Sequence, residues 1–401
     1  MRGRVLRLSL AVLAAALATA MAVTITGCSK EEPAGTTATT ETASTEPVKI
    51  GAILSLTGTY AGLGEPEKAT LEMEVERINA AGGINGRPVE LIIEDDATDE
   101  AKAVAAASKL IEQDGVVAIL GATGSGQTMA VRGDVDRAGI PQVSMAGATA
   151  ITAQFDPLVF QTPWSNNLVV PFTLEALKAA GVKKIAVMTD TGGFGKDGLA
   201  VLEAEAPKAG IEIVESQTFN PGDTDMTAQV TNVKKSDAEA LVLWSAGKEA
   251  ATVAKNAKDL GLEIPFYGSH GIARLEFIEG AGEAAEGVHL AAGKILVPEE
   301  YGVDTEAYKV ATDFVARFTE KTGAAPSTFA GHAYDALYLT VEAAKRIDGE
   351  ITPAALRDEI EATSGFVGIG GTFTFTAEDH NGLKPTDLAM YVIKDGKFAV
   401  E

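Results

Sequence analysis

From Val48 onward, short apolar runs alternate with amphipathic stretches, and the series is gone through twice. Strands that alternate with helices argue for a parallel sheet, because parallel neighbours need a long crossover connection where antiparallel ones can use a tight hairpin. The first series predicts strands at 48–54, 89–93, 116–120 and 141–144, separated by helices at 65–80, 99–113 and 125–138. The second predicts helices at 167–180, 194–209, 225–235 and 248–260 around strands at 184–189, 211–219, 240–244 and 265–267. Gly181, Gly210 and Gly261 stand where those helices should stop, as residues in the left-handed conformation do. Three further helices, at 305–322, 328–347 and 353–362, have no strands between them and must pack on one of the two units. Strands at 372–375 and 388–393 close the chain. The expected fold is α/β, in two lobes, each a doubly wound parallel sheet with helices on both faces.

Ahead of this body lies a different composition. Arg2, Arg4 and Arg7 precede an apolar run from 8 to 25 that ends in Thr26-Gly27-Cys28. This is the layout of a secretory signal peptide, expected to occupy 1–27 and excluded from fold reasoning. The run is close to the length that spans a bilayer, so length does not separate signal from anchor. The chain's single cysteine does, because Ile25-Thr-Gly-Cys28 resembles a bacterial lipobox, which implies diacylation of Cys28. Two acyl chains anchor a protein stably where one does not. Residues 28–47 are Thr, Ala, Glu, Ser and Pro-rich, without a large apolar side chain, and read as a disordered tether. The expected location is outside the cytoplasm, lipid-anchored on the outer face of the cytoplasmic membrane or in the periplasm.

The body is roughly 350 residues, more than one hydrophobic core usually holds, which again argues for two lobes. With 33 basic against 56 acidic residues the chain is strongly negative. Such a balance excludes tracking of a nucleic-acid backbone, which needs clustered Lys and Arg. A lone cysteine excludes an internal disulfide and a Cys-based metal site.

Gly121-Ala-Thr-Gly-Ser-Gly126-Gln127 follows a strand and opens a helix, as a P-loop does, but Gln127 stands where that motif has lysine. What remains is the attraction of helix N-terminal N–H groups for an anion, a carboxylate as well as a phosphate. No Gly-x-Ser-x-Gly or His-Glu-x-x-His occurs. His270, His289, His332 and His380 lack metal-ligand spacing. Asp95-Asp96 is expected to be a solvated turn or capping element rather than an acid–base pair.

Asn79-Ala-Ala-Gly-Gly-Ile-Asn-Gly86 with Asp95-Asp96 resembles the Leu/Ile/Val-binding protein family, the solute-binding proteins of branched-chain amino acid type ABC importers. Thr57-Gly58 with Gly64, Ala138-Gly-Ile-Pro141, Phe329-Ala330, Ala333-Tyr-Asp-Ala336 and Lys394-Asp-Gly-Lys-Phe398 extend the likeness from 48 to 401. The resemblance implies the type I periplasmic-binding-protein fold, with three hinge crossovers and the ligand in the cleft. It puts lobe 1 at 48–163 plus 297–371 and lobe 2 at 164–296 plus 372–401.

It also implies a site. Thr123 and Ser125 in one loop, with Ala148 and Thr149 in a second, would hold the ligand carboxylate, although these hydroxyls could serve only as helix caps. Phe194 would cover the ligand, and Trp244 and Phe329 would line the cleft or lie in the core. His270 stands where amino-acid-binding members commonly have the Glu that holds the ammonium. A histidine is either structural there or turned toward an acid lacking the amine. The expected protein is a monomeric, non-catalytic binder of a small hydrophobic carboxylate, either a branched-chain amino acid or an aromatic or aliphatic acid. It would need no cofactor and would partner the membrane permease of an ABC importer. A ligand-sensing receptor for a signalling partner and an exported hydrolase are the rival readings.

Overall fold

The computed structural model describes residues 46–401. The expected signal peptide, Cys28 and the tether as far as residue 45 lie outside the described residues. The last two tether positions do not behave as tether: Arg87 Nε donates to the Glu46 carbonyl at 2.7 Å.

The first series forms β1 (Val48–Leu54), α1 (Ala61–Ala80), β2 (Val89–Asp95), α2 (Glu100–Lys109), β3 (Ala118–Gly121), α3 (Ser125–Ala138), β4 (Gln142–Ser144), the short α4 (Ala150–Ala153) and β5 (Val159–Gln161). The sheet is wholly parallel, in the order β2-β1-β3-β4-β5. Its strands read as nearly continuous apolar runs because both faces are covered. Ile50, Ala52 and Leu54 pack in one core with Leu71 and Ile78 of α1, while Ile53 and Ile119 turn to Ala103 and Ala107 of α2 and Val131 of α3. Asp99 caps α2, its carboxylate accepting the Lys102 N–H at 2.9 Å, as the acidic start predicts.

The second series forms α5 (Asn166–Ala179), β6 (Lys184–Asp190), α6 (Gly193–Ala209), β7 (Glu212–Phe219), α7 (Thr227–Lys235), β8 (Ala240–Trp244), α8 (Glu249–Asp259), β9 (Phe266–Gly268), α9 (Leu275–Ala281) and β10 (His289–Gly293). Then come α10 (Glu306–Thr322), α11 (Thr328–Lys345), α12 (Pro353–Glu361), β11 (Ser364–Val367), β12 (Thr372–Thr374), β13 (Leu388–Lys394) and β14 (Lys397–Val400). The second sheet runs β14-β13-β10-β9-β8-β6-β7. Its two alternating cores follow the strand period: Ile185 and Val187 face one way, Ala186 and Met188 the other.

The sheets depart from expectation at three points. The second is not purely parallel, since β13 and β14 return antiparallel beside β10. The strand expected at 372–375 to close that sheet instead pairs with β11 in a separate ribbon. Phe375 packs on Phe160 of β5 at 5.3 Å, so its aromatic face is buried in the first lobe. Strand β10, overlooked in the sequence, is His-Leu-Ala-Ala-Gly. Its last residue, Gly293, is required by close packing, because a Cβ there would lie 2.0 Å from the Trp164 ring. The strandless helices pack on the first lobe, with α10 and α11 against α1.

Candidate ligand-binding cleft

The loops at the carboxyl ends of β3 and β4 meet those after β6, β8 and β9, where ligands bind in doubly wound sheets. Between them lies a narrow cavity of about 20 Å³. Thr123, Ser125 and Phe329 line it from the first lobe, Phe194 and His270 from the second. Ala148, Thr149 and Trp244 do not line it.

Helix α3 opens after Gly124, whose backbone is extended. A Cβ on Gly124 would sit 2.0 Å from Gln127 Oε1, so a side chain there would require Gln127 to swing away. The first N–H groups of any helix lack an intrahelical acceptor, and here they border the cavity at Ser125. The Ser125 hydroxyl is held by the Ala148 N–H at 3.2 Å. Thr123 is engaged elsewhere. Its hydroxyl accepts the Ser55 N–H at 3.1 Å and donates to Glu67 Oε2 at 2.5 Å. Burial pushes the Glu67 carboxyl well above the usual carboxylate range, Thr123 opposes the shift, and Asp96 adds to it.

The Asp95-Asp96 pair is solvated on one side only: Asp95 is exposed and accepts the Ala97 N–H of the turn at 2.8 Å. Asp96 is fully buried and accepts from Ser55 Oγ at 2.6 Å and from the Thr98 N–H at 2.8 Å. Asp95 receives the Leu56 N–H at 2.9 Å and the Thr57 hydroxyl at 2.7 Å. Together they shape the loop that delivers Tyr60 to the cavity.

The second loop reaches the cavity with Ala146 and Gly147 rather than Ala148 and Thr149. Gln161 Nε2 pins it by donating to the carbonyls of Ala146 and Ala148 at 2.7 and 3.0 Å. The N–H groups of Thr149 and Ala150 then turn to the other lobe, donating to the Asp197 carboxylate at 2.7 and 3.1 Å. Asn166 Nδ2 joins them on Asp197 at 2.7 Å.

On the second lobe, Asp190 ends β6 and accepts the Gly192 N–H at 2.8 Å. Burial raises its carboxyl. Phe194 then projects against the edge of His270 at 5.1 Å, with Trp244 stacked behind it at 6.3 Å. Trp244 is a core residue. A Cβ on Gly198 would lie 1.9 Å from its ring, and its indole N–H donates to Asn166 Oδ1 at 2.9 Å.

His270 is 5% exposed, and neither ring nitrogen has a hydrogen-bond partner. Burial lowers its pKa to about 3. His332, on α11, lines the same cavity from the first lobe, with Nδ1 unpartnered. Its pKa is lowered to about 3 by burial and then by His270. His332 and Tyr60 escaped the sequence reading, yet His332 lies one helical turn beyond Phe329, on the same face. Beside the cavity, buried Arg274 donates to the Gly271 carbonyl and, at 3.2 Å, to that of Gly247. Burial lowers its pKa to about 10.

Among the described residues no group of three His, Cys, Asp or Glu is placed to hold a metal ion. None of their helices is long and apolar enough to cross a membrane.

Two doubly wound lobes enclosing a small, mostly apolar cavity beside a helix N-terminus define a cleft-type solute binder. Over residues 47–397 the chain matches the periplasmic binding protein family, and it belongs to that family. It is 29% identical to the leucine-, isoleucine-, valine-, threonine- and alanine-binding protein of Pseudomonas aeruginosa, over 86% of this chain and 90% of that one. An extracellular ligand-binding receptor from Rhodopseudomonas palustris superposes with a TM-score of 0.82 at 27% identity, covering 88% of this chain and 99% of its own. The branched-chain amino acid transporter substrate-binding protein of Streptococcus pneumoniae, solved in complex with isoleucine, does so at 0.78 and 28%, covering 88% and 98%.

Proposed function

We propose that this protein captures a small hydrophobic carboxylate outside the cytoplasm by closing its lobes, and delivers it to an ABC importer. The observation that carries this is the open N-terminus of α3 facing an apolar chamber walled by Phe194 and Phe329. Helix N-terminal N–H groups attract an anion, and the apolar wall favours a hydrocarbon tail. Ser125 and Gly147 hold the carboxylate, and Phe194 covers the tail. Lobe 1 takes the chain up to about 163 and again from about 297. Lobe 2 takes 164–296 and β13 with β14. Three crossovers between them serve as hinges.

Relatives named for branched-chain amino acids support the importer reading. Cys28 is lipidated in this proposal, and the tether keeps a monomeric binder near its permease by raising effective concentration. Native mass spectrometry of protein purified without denaturation tests it, followed by a thermal-shift panel of small acids. A co-purified carboxylate, or stabilisation by one, is expected. Turnover of the bound solute would overturn the reading in favour of a hydrolase.

A further inference from the structure

Two imidazoles, one from each lobe, face the cavity without a protein partner for three of their four ring nitrogens: His270 Nδ1 and Nε2, and His332 Nδ1. Both residues are at least nine-tenths buried. The indole N–H of Trp164, also unpartnered, lies beside them, its ring 5.3 Å from that of His332. A buried polar group without a partner costs about 1–3 kcal/mol, so such a cluster calls for a ligand that answers it.

The same cavity has nothing for an ammonium. No Asp or Glu side chain lines it. The nearby carbonyls of Ala146, Gly147 and Pro163 already accept from Gln161, Asn166 and Asn381. Asp190 and Glu249 stand behind Tyr60 rather than in the lining: Asp190 Oδ1 accepts the Gly192 N–H while its Oδ2 has no protein partner, and Glu249 accepts the Gly222 N–H at 2.5 Å. The nearest buried cation, Arg274, adds repulsion. Burial keeps both imidazoles neutral at ordinary pH, and a neutral imidazole offers one donor and one acceptor. That pair suits an uncharged oxygen, whether hydroxyl or carbonyl, and does not neutralise a buried positive charge.

We propose that the ligand is a hydrophobic carboxylic acid without an α-amine, carrying one further uncharged oxygen that His270 and His332 hold between the lobes. This rests on the carboxylate reading above and narrows it to hydroxy and oxo acids. It also separates this chain from the neighbour solved with isoleucine.

Titration calorimetry on the full chain, stripped of bound solute, tests it with two series: leucine and phenylalanine, each with its hydroxy acid, its oxo acid and its plain deaminated acid. In the series that binds, the hydroxy or oxo acid is expected to exceed the amino acid by on the order of 100-fold. It should exceed the plain acid by about tenfold. His270→Leu and His332→Leu should each bring the hydroxy-to-plain ratio close to one, with a cooperative thermal unfolding transition showing that each variant folds. An amino acid that binds as tightly as its hydroxy acid overturns the inference and leaves the carboxylate reading standing. A ratio unchanged in both variants overturns the role of the imidazoles. If no acid of either series binds and a solute without a carboxylate co-purifies, the carboxylate reading fails, and this inference with it.

Discussion

Helices α3 and α6 begin alike and end up with opposite tasks. Each follows a buried strand, each starts after a glycine in extended conformation, and neither has an acidic residue in its first turn. At α6 the chain supplies its own anion: Asp190, the last residue of β6, accepts the Gly192 N–H. At α3 no carboxylate does this, and the partial positive charge of the helix end is left for a guest. The lobe with the sealed helix end contributes Phe194 as a cover. The lobe with the open one contributes the donors. One acid placed before a loop therefore separates a binding helix end from a covering one.

The largest expected effect comes from sealing α3 as α6 is sealed. Ser125→Asp should leave thermal stability equal or higher, because an acid suits the first turn, yet weaken carboxylate binding on the order of 100-fold or more. Unchanged affinity by calorimetry would break the comparison. The second test concerns the imidazoles that each lobe contributes. Both are neutral when folded, with pKa values near 3, and near 6.5 when unfolded. The unfolded chain therefore binds more protons between those values, and stability falls as pH drops below about 6.5. Each imidazole accounts for about 2 kcal/mol by pH 5. His332→Gln should flatten the melting-temperature profile between pH 7 and 5, and an unaltered slope would place that imidazole's titration outside the folding equilibrium.

A smaller effect is expected where the lobes touch. Asp197→Ala removes the acceptor for Thr149, Ala150 and Asn166, so the closed form should lose about tenfold in ligand affinity. An equal affinity would mean that Asp197 is not part of closure. The smallest effect is reserved for Thr123→Val. Its hydroxyl serves Ser55 and Glu67, so ligand affinity should move by less than about threefold while stability drops by about 1–2 kcal/mol. A large affinity loss would return Thr123 to the ligand.

Particular residues show how far the sequence reaches. The spans of β1, α3 and β8 were legible because their apolar patterns are long and end at glycine or polar residues. Strand β10 was not, because small residues carry no strand signature, and its Gly293 is there to admit Trp164. Ser125, Phe194 and His270 were candidates through the family resemblance alone, and all three line the cavity. Ala148 and Thr149 were placed too far along, since loop spacing does not reveal that Gln161 grips the loop from β5. Trp244 was ambiguous until Gly198 and Asn166 settled it into the core.

By itself the sequence determined the two α/β series and the apolar faces of their strands and helices, since these follow from local periodicity and burial. It also determined the glycine that ends β3, because Gly121 has a positive φ and a Cβ there would lie 2.3 Å from the Ile53 carbonyl oxygen. Tertiary structure alone decided that His270 and His332, from different lobes, share one buried cavity. It decided too that the 372–375 strand leaves the second sheet, and that Asp190 closes one helix end while α3 stays open. Partners far apart in the chain meet only when the lobes pack, and desolvation, which decides their charge, exists only there.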